Sequence, residues 1–272
     1  MSQDSGNPAP TAATAPIAVV TGASSGTGRD IALALAADGC DVALLGRRVD
    51  ALNAVKDQIE AMGRRACVLM TDLLDEHAIA ASMETFFVWS ARRMDILVNA
   101  AGIPGPLGAP VGSFALADFD AVIATNLRAP FILMSHLLPL MYARNSGRVV
   151  NIGGNHGMRG RAGRSSYSSS KWALRGLTRS AALEAGQYGV TVNFVAPGPI
   201  AVERMRKRWA ERAEAEGVSE QVIIDQYIAD MGAVLRRPSE TSDVVATVRF
   251  LVGEGGRNIT GQELVVDGGV II

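Results

Sequence analysis

The sequence predicts a single α/β domain, built on a doubly wound parallel sheet with helices on both faces. Short, uniformly apolar runs recur along the chain, as expected for strands that are covered on both sides. Segments long enough for helices separate these runs, and this alternation favours a parallel sheet with right-handed crossovers. The length of 272 residues suits one large domain, and a hydrophobic content of 48% provides for an extensive core.

Strands are predicted at 17–20, 41–45, 66–70, 95–100, 147–152, 190–196 and 263–267. Helices are predicted at 28–38, near 50–62, and at 75–93, 116–143, 166–187 and 241–253. The charged, helix-prone segment 199–237 interrupts this alternation. Because ligands of such sheets bind beyond the carboxyl ends of the strands, we predict that this segment is a lid over the substrate. A surface helix pair without a function is the alternative.

Composition and charge narrow the classes of function. The formal net charge of −1 does not favour a nucleic-acid partner. Two cysteines, Cys40 and Cys67, give neither a disulfide framework nor zinc spacing, so no metal site is predicted. Residues 1–16 lack the features of a signal peptide and are predicted to be a disordered tail. No apolar run reaches the ~18 residues that span a membrane, so we expect a cytoplasmic protein without a membrane partner.

A glycine-rich stretch follows the first predicted strand. Gly22, Gly26 and Gly28 lie between that strand and the head of the first predicted helix. Such a turn lets backbone N–H groups approach a pyrophosphate, and the helix N-terminus adds roughly half a positive charge. In this context the glycines predict a dinucleotide site.

The end of the second strand indicates which nicotinamide cofactor binds. An NAD enzyme usually has an acidic residue there, which binds the ribose 2′-hydroxyl. Here Gly46 is followed by Arg47 and Arg48, whose guanidinium groups would pair with a 2′-phosphate. We therefore predict a preference for NADP(H), with NAD(H) as a second cofactor. The alternative is that the arginines only solvate the loop.

Tyr167 and Lys171 lie four residues apart in a predicted helix, so they share one face. The ordinary pKa of tyrosine, near ~10, is too high for a base at neutral pH. A cation about 4 Å away, at an effective dielectric constant near ~20, contributes ~4 kcal/mol, enough to shift that pKa by up to ~3 units. We expect Lys171 and the oxidised nicotinamide to provide this field, so that Tyr167 acts as general acid or base.

Taken together, these motifs resemble those of the short-chain dehydrogenase/reductase family, which has a Rossmann-like fold. Thr21–Gly28 match its T-G-x-x-x-G-x-G motif, and Tyr167 with Lys171 match Y-x-x-x-K. The segments 72–73, 99–102, 197–198 and 259–269 also match in order, over nearly the whole chain after residue 16. The cofactor-binding residues that the resemblance implies are Thr21, Gly22, Ser24, Ser25, Gly26, Thr27, Gly28, Arg47, Arg48, Asp72, Leu73, Asn99, Ala100, Gly102, Tyr167, Lys171, Pro197, Gly198 and Ile200.

The family's catalytic serine, thirteen residues before the tyrosine, is replaced by Gly154. Loss of such a hydrogen-bond donor costs about 10²–10³ in rate elsewhere. Asn155, His156, Ser165 or Ser166, or an ordered water, are candidates to replace the hydroxyl, with Asn155 favoured as the catalytic donor. Gly154 and His156 are also expected to contact substrate, since a glycine there makes room for a bulkier ligand.

Two further expectations follow from the resemblance. Asn126 is expected to bind a water that connects the lysine to solvent, and a homotetramer is implied. Val202 stands where the family often has a threonine that contacts the cofactor phosphates.

The loop 155–165 carries Arg159, Arg161 and Arg164 with no acidic residue between them. One of them, with Arg159 as the first candidate, is hypothesised to bind an anionic group of the substrate. A solvated basic loop or a subunit contact is the alternative. In the lid, arginines alternate with glutamates, a pattern typical of a solvated helix face.

The sequence therefore predicts an NADP(H)-preferring oxidoreductase that interconverts a ketone and a secondary alcohol. An anionic ketone and a 3-oxoacyl thioester are candidate substrates. The alternative is a cofactor-binding regulator or scaffold of the same fold that lost its chemistry with the serine.

Overall fold

Seven strands form one parallel sheet in the computed structural model, which describes residues 15–271. The strands are β1 (Ile17–Thr21), β2 (Asp41–Gly46), β3 (Ala66–Met70), β4 (Ile96–Asn99), β5 (Gly147–Ile152), β6 (Val190–Pro197) and β7 (Glu263–Val266). Their order in the sheet is β3-β2-β1-β4-β5-β6-β7. The predicted fold class is confirmed, whereas residues 1–14 of the predicted tail lie outside the described residues.

The helices are α1 (Gly26–Ala37), α2 (Val49–Ala61), α3 (Glu76–Trp89), α4 (Leu116–Ile123), α5 (Ala129–Ala143), α6 (Ser165–Ala185), α7 (Glu203–Glu216), α8 (Glu220–Met231) and α9 (Thr241–Val252). A π-helical turn, Ala124–Arg128, joins α4 to α5 in one continuous helical stretch. The helix predicted at 75–93 ends earlier, because Ala91 and Arg92 adopt left-handed backbone conformations with φ of 50° and 57°.

Two apolar layers enclose the sheet. Val19 and Leu97 face a cluster that contains residues of α3, α5 and α6, whereas Val20 and Leu44 face α1, α2 and α9. Successive strand residues point to opposite faces, so a strand that is covered on both sides must be apolar throughout. This explains why the strands read as unbroken apolar runs.

The continuous stretch Leu116–Ala143 is, by length and composition, apolar enough to cross a membrane, contrary to the sequence expectation. Half of its most apolar window is buried within the protein. Leu133, Leu137 and Met141 pack into the core beside the sheet. The stretch is therefore a core helix of this fold.

The segment 199–237 folds into a helical hairpin of α7 and α8. The rings of Trp209 and Tyr227 join the two helices, with centroids 5.7 Å apart. Trp209, Ala213 and Ile223 are buried together with Ala201 at the base of the hairpin. The hairpin follows β6, so it stands at the carboxyl edge of the sheet, where the predicted site residues also gather.

Candidate active site

The glycine-rich loop between β1 and α1 is tightly closed. Gly22 and Gly26 have φ of 68° and 54°, in the left-handed region that favours glycine. A Cβ on Gly28 would lie 2.5 Å from the carbonyl oxygen of Gly22. The backbone N–H of Ala101 donates to Thr21 Oγ1 over 2.9 Å, which ties the loop to the end of β4. Only glycines allow this approach, so the loop fits a backbone cradle for a pyrophosphate.

The first turn of α1 also suits an anion. It includes Thr27 and Gly28, and no acidic residue lies in that turn. A cavity of about 550 Å³ lies between this end of α1 and α7. Its lining carries both signs of charge: the cations are Arg29, Arg206 and Lys207, and the carboxylates are those of Asp30, Glu203, Glu220 and Glu240. Val202 approaches the loop, since a Cβ on Gly26 would lie 3.5 Å from Val202 Cγ1.

Arg48 reaches the glycine-rich loop from the end of β2. Its Nη2 donates to Ser25 Oγ over 2.6 Å and to Ser24 Oγ over 3.2 Å. Arg47 and Arg48 are both exposed. The structure therefore brings three predicted cofactor residues, Ser24, Ser25 and Arg48, into one polar cluster that carries no acidic side chain.

The ends of β3 and β4 carry further predicted cofactor residues. Asp72 is exposed, and its Oδ1 accepts from the backbone N–H of Leu74 over 3.1 Å, while Leu73 is buried. Asn99 Nδ2 donates to Asn151 Oδ1 over 2.8 Å. The side chain of Asn99 is thus part of the core, and it fixes the backbone of Ala100 and the residues after it.

Tyr167 and Lys171 lie on one face of α6, as predicted. The Lys171 side chain is 3% exposed, and its Nζ donates to the carbonyl oxygen of Ile152 over 2.9 Å. Lys171 Nζ lies 5.8 Å from the centre of the Tyr167 ring. A Cβ on Gly102 would lie 3.5 Å from Lys171 Nζ, so Gly102 also borders this pair.

The electrostatics of the pair differ from the expectation. Burial raises the pKa of Tyr167, and the guanidinium groups of Arg164 and Arg204 lower it in part. Burial also lowers the pKa of Lys171 to about 8. Among the described residues, the cations that lower the pKa of Tyr167 are thus Arg164 and Arg204 and not Lys171, and the prediction that Lys171 and the oxidised nicotinamide together lower it stays a prediction.

Asn126 lies in the π-helical turn and is fully buried. Its Oδ1 accepts from the backbone N–H of Ile103 over 2.9 Å, and its Nδ2 donates to the Ile103 carbonyl and to Ser170 Oγ, each over 3.0 Å. Ser170 Oγ in turn donates to the carbonyl oxygen of Tyr167 over 2.8 Å. Both amide protons of Asn126 are therefore used, and the side chain positions the turn that carries Tyr167. A π-turn of this kind is frequent at functional sites, and the water relay stays a prediction.

The two glycines at the end of β5 are required for different reasons. A Cβ on Gly153 would fall within the ring of Phe194, which is fully buried on β6. A Cβ on Gly154 would lie 2.8 Å from Tyr167 Oη. Gly154 has an extended backbone with φ of 165°, which any residue can adopt. A side chain is therefore opposed there by the phenol oxygen, which occupies the space, and not by the backbone.

Asn155 and His156 follow Gly154 in a short 3₁₀ turn. Asn155 is buried, and among residues 15–271 its Nδ2 has no hydrogen-bond partner. The His156 ring stands edge-on to the Tyr167 ring, with centroids 5.9 Å apart. Burial, together with nearby arginines, lowers the pKa of His156 to about 4, so it is neutral at pH 7.

The loop arginines take separate places. Arg159 donates to the carbonyl oxygen of Met231 over 3.3 Å, and Arg161 contacts Met231 Sδ, so both reach α8. Arg164 Cζ lies 4.8 Å from the centre of the Tyr167 ring. Arg164 therefore lies beside Tyr167 and Arg159 reaches α8, while binding of an anionic substrate group by Arg159 stays a prediction.

The last three predicted cofactor-binding residues, Pro197, Gly198 and Ile200, lie at and just after the end of β6. β6 ends at Pro197, and the backbone N–H of Gly198 donates to the Val266 carbonyl over 3.0 Å. A Cβ on Gly198 would lie 2.5 Å from Asp267 Cβ, so a side chain is excluded. Ile200 forms a parallel bridge with Ser239, which anchors the start of the hairpin.

Sequence reasoning did not identify Arg204, Phe194 or Tyr227 as site residues. Arg204 lies in a segment where arginines and glutamates alternate, and Phe194 lies in an apolar strand, so neither stands out from its neighbours in the sequence. Only the fold brings them to Tyr167 and its neighbours.

Comparison with known proteins gives consistent results. The family model described as short chain dehydrogenase matches residues 16–213. The chain is 34% identical over 268 residues to the 3-oxoacyl-[acyl-carrier-protein] reductase of Synechocystis sp., covering 96% of this chain and 99% of that protein. Among solved structures, NAD⁺-bound xylitol dehydrogenase superposes with a TM-score of 0.84 at 28% identity, covering 93% of this chain and 98% of its own. L-sorbose reductase from Gluconobacter frateurii, complexed with NADPH and L-sorbose, gives a TM-score of 0.89 at 25% identity, covering 95% and 97%.

Proposed function

Because the chain belongs to the short-chain dehydrogenase family, we propose that it is a nicotinamide-dependent oxidoreductase that interconverts a ketone and a secondary alcohol. The observation that carries this proposal is the placement of Tyr167 and Lys171 on one face of α6, at the carboxyl edge of the sheet. A half-buried phenol beside a buried ammonium is suited to exchange a proton with a substrate oxygen.

The chain supplies binding and proton transfer. When bound, a nicotinamide cofactor supplies the hydride that the protein side chains cannot provide. In reduction, the Tyr167 hydroxyl donates its proton to the oxygen of the carbonyl group, whose carbon receives the hydride. Lys171 holds a positive charge beside the Tyr167 ring, and the hydrogen bond from its Nζ to the Ile152 carbonyl oxygen fixes its position. The Nδ2 group of Asn155, which has no hydrogen-bond partner in the described part of the chain, is the proposed donor in place of the missing serine hydroxyl.

The proposed cofactor is NADP(H), with NAD(H) as the second. The polar cluster of Arg48 with Ser24 and Ser25 supports this, because it offers donors to a phosphate at the end of β2. The solved structure of L-sorbose reductase contains NADPH, and that of xylitol dehydrogenase contains NAD⁺, so the family accommodates both.

The test is oxidation of NADPH and NADH with a panel of ketones, followed by absorbance. We expect turnover that falls by at least about 10²-fold in Tyr167→Phe, since a positioned acid contributes about 10²–10⁴-fold. Tyr188→Phe is the matched control, because Tyr188 stacks on Tyr142 with ring centroids 4.3 Å apart, in a pair separate from the site. Equal rates for Tyr167→Phe and the unsubstituted protein would contradict the assignment.

A second candidate function is a cofactor-binding regulator without catalysis. The observation that favours it is the glycine at position 154, which offers no hydroxyl to a substrate. This candidate predicts tight binding of a dinucleotide, measured by calorimetry, without turnover of any ketone on a broad panel.

A homotetramer is the proposed assembly. Trp172 and Leu183, both on α6, and Phe131 on α5 expose 46%, 86% and 56% of their surface. Apolar side chains exposed on two helices suit burial against a second copy. Light scattering on the purified protein measures the mass of the assembly directly, and a mass equal to one chain would exclude this proposal.

A further inference from the structure

Five arginines lie near Tyr167 or its neighbours His156 and Tyr227. Three come from the loop after β5 (Arg159, Arg161 and Arg164), and two come from α7 (Arg204 and Arg208). Within residues 15–271, none of the five forms an ion pair with a carboxylate. This region therefore carries an excess of positive charge that the protein itself does not neutralise.

The charged residues of α7 fall into two groups, those that form an ion pair and those that do not. Arg206 pairs with Glu240, Lys207 with Glu211, and Arg212 with Glu216, as a solvated helix face would. Arg204 and Arg208, one helical turn apart, have no such partner within residues 15–271. The guanidinium of Arg204 acts on both Tyr167 and Arg164, and that of Arg208 acts on Tyr227. These two cations of α7 therefore contribute positive charge to the surroundings of Tyr167.

Arg164 is the most informative of the five. Its guanidinium lies against the Tyr167 ring, and its Nε and Nη1 are buried without a hydrogen-bond partner among the described residues. Burial of an unpaired charge is unfavourable, and burial accordingly lowers the pKa of Arg164. Arg161 and Arg204 add repulsion to that cost. A cation held in this way indicates that its anionic partner arrives with a ligand.

We propose that Arg164 binds an acidic group of the substrate, a carboxylate, sulfonate or phosphate, and that Arg204 adds to the positive field there. This inference rests on the proposed oxidoreductase function. Because Arg164 lies on the ring of Tyr167 itself, the acidic group lies only a few bonds from the reacting carbon. The substrate class is therefore a compact oxo acid or hydroxy acid. Arg159 and Arg161 contact Met231 at the end of α8.

The test compares matched pairs of ketones with and without the charge: 3-oxobutanoate against its methyl ester, and dihydroxyacetone phosphate against dihydroxyacetone. For at least one pair we expect kcat/KM to be about 10- to 100-fold higher for the anion, the range for one or two charge-assisted hydrogen bonds. Arg164→Gln and Arg204→Gln should each lower the ratio of kcat/KM for the anion to kcat/KM for its neutral partner by about 10-fold or more, because an effect on the Tyr167 phenol is common to both ketones and cancels in the ratio.

Arg212→Gln is the control from the same helix, because Arg212 already pairs with Glu216. Equal kcat/KM for all charged and neutral partners, or equal losses for both in the arginine variants, would overturn the inference while turnover of ketones still supported the oxidoreductase. Turnover of a 3-oxoacyl group only when it is borne on an acidic carrier protein would also overturn it, since the arginines would then face a macromolecule.

Binding gives a readout that does not depend on turnover. Calorimetry with 3-oxobutanoate and dihydroxyacetone phosphate, in the presence of either dinucleotide, should show binding of at least one acid. That binding should weaken by about 10-fold or more in Arg164→Gln and remain unchanged in Arg212→Gln. If neither acid binds to the unsubstituted protein, the inference is wrong whether or not ketones are reduced.

Discussion

Restoring the missing serine should impair this protein, because the phenol oxygen already fills the space. Any side chain at position 154 places its Cβ 2.8 Å from Tyr167 Oη. Attractive contacts between heavy atoms lie at about 3.5 Å or more, so the phenol must retreat by roughly 0.7 Å. A misplacement of about 1 Å at a reacting group costs about 10²-fold, so this displacement predicts a loss of at least about 10-fold in kcat/KM.

The comparison requires two variants, Gly154→Ser and Gly154→Ala. Both add the same Cβ, but only serine adds a hydroxyl. We expect their kcat/KM values to fall at least about 10-fold and to agree within about 3-fold, since displacement of the phenol dominates. Overpacking should also destabilise both by about 1–3 kcal/mol, or roughly 2–10 °C in Tm by calorimetry.

A different outcome would refute this reasoning. If Gly154→Ser raises kcat/KM by about 10-fold or more and Gly154→Ala does not, the site lacks only a donor, as in the mutant series where such donors contribute 10²–10³-fold. That result would mean that the phenol can accommodate a side chain at position 154 without being displaced.

Three further predictions concern stability, the cofactor and pH. Gly153→Ala should destabilise the fold by about 1–3 kcal/mol, measured by urea unfolding, because its Cβ falls within the ring of Phe194. Arg48→Gln should lower the ratio of kcat/KM for NADPH to that for NADH by about 10-fold or more, since a guanidinium that would pair with the 2′-phosphate is lost. Arg164→Gln should shift to higher pH the range in which the rate of oxidation of a neutral alcohol rises with pH, because Arg164 lowers the pKa of Tyr167 and the phenolate is the proposed base in that direction.

Each of these has its own control. Gly160→Ala, where no heavy atom lies within 4 Å of the added Cβ, should leave stability nearly unchanged. Arg257→Gln, on the surface after α9, should alter neither the cofactor ratio nor the pH profile. An unchanged ratio in Arg48→Gln would assign that arginine to loop solvation. A rise of the oxidation rate at the same pH in Arg164→Gln would remove Arg164 from the field acting on the phenol.

The strands could be predicted almost to the residue, because burial on both faces leaves an unmistakable apolar run. The position of Tyr167 relative to Lys171 also followed from helix geometry alone. The direction of the Tyr167 pKa shift did not, because burial depends on residues that are remote in sequence. The spacing of two residues specifies a shared face but neither the depth of the pocket nor the cations that Arg164 and Arg204 bring to it.

The glycines likewise show that a single sequence reveals local constraints but not long-range ones. Gly22 and Gly28 belong to a local turn, and their role could be predicted from the loop sequence. Gly153 is fixed by Phe194, which lies forty-one residues later and meets it only because β5 and β6 are neighbours. Long-range packing of this kind leaves no pattern in a single sequence.

The amide of Asn126 has a consequence for how the loop after β4 can be changed. It connects the backbone at Ile103, in that loop, to Ser170, whose hydroxyl donates to the carbonyl of Tyr167. A shift of the loop is transmitted through three hydrogen bonds to the residue that is proposed to transfer the proton. Variants that reshape this loop should therefore alter turnover, and any redesign of the loop must allow for that effect.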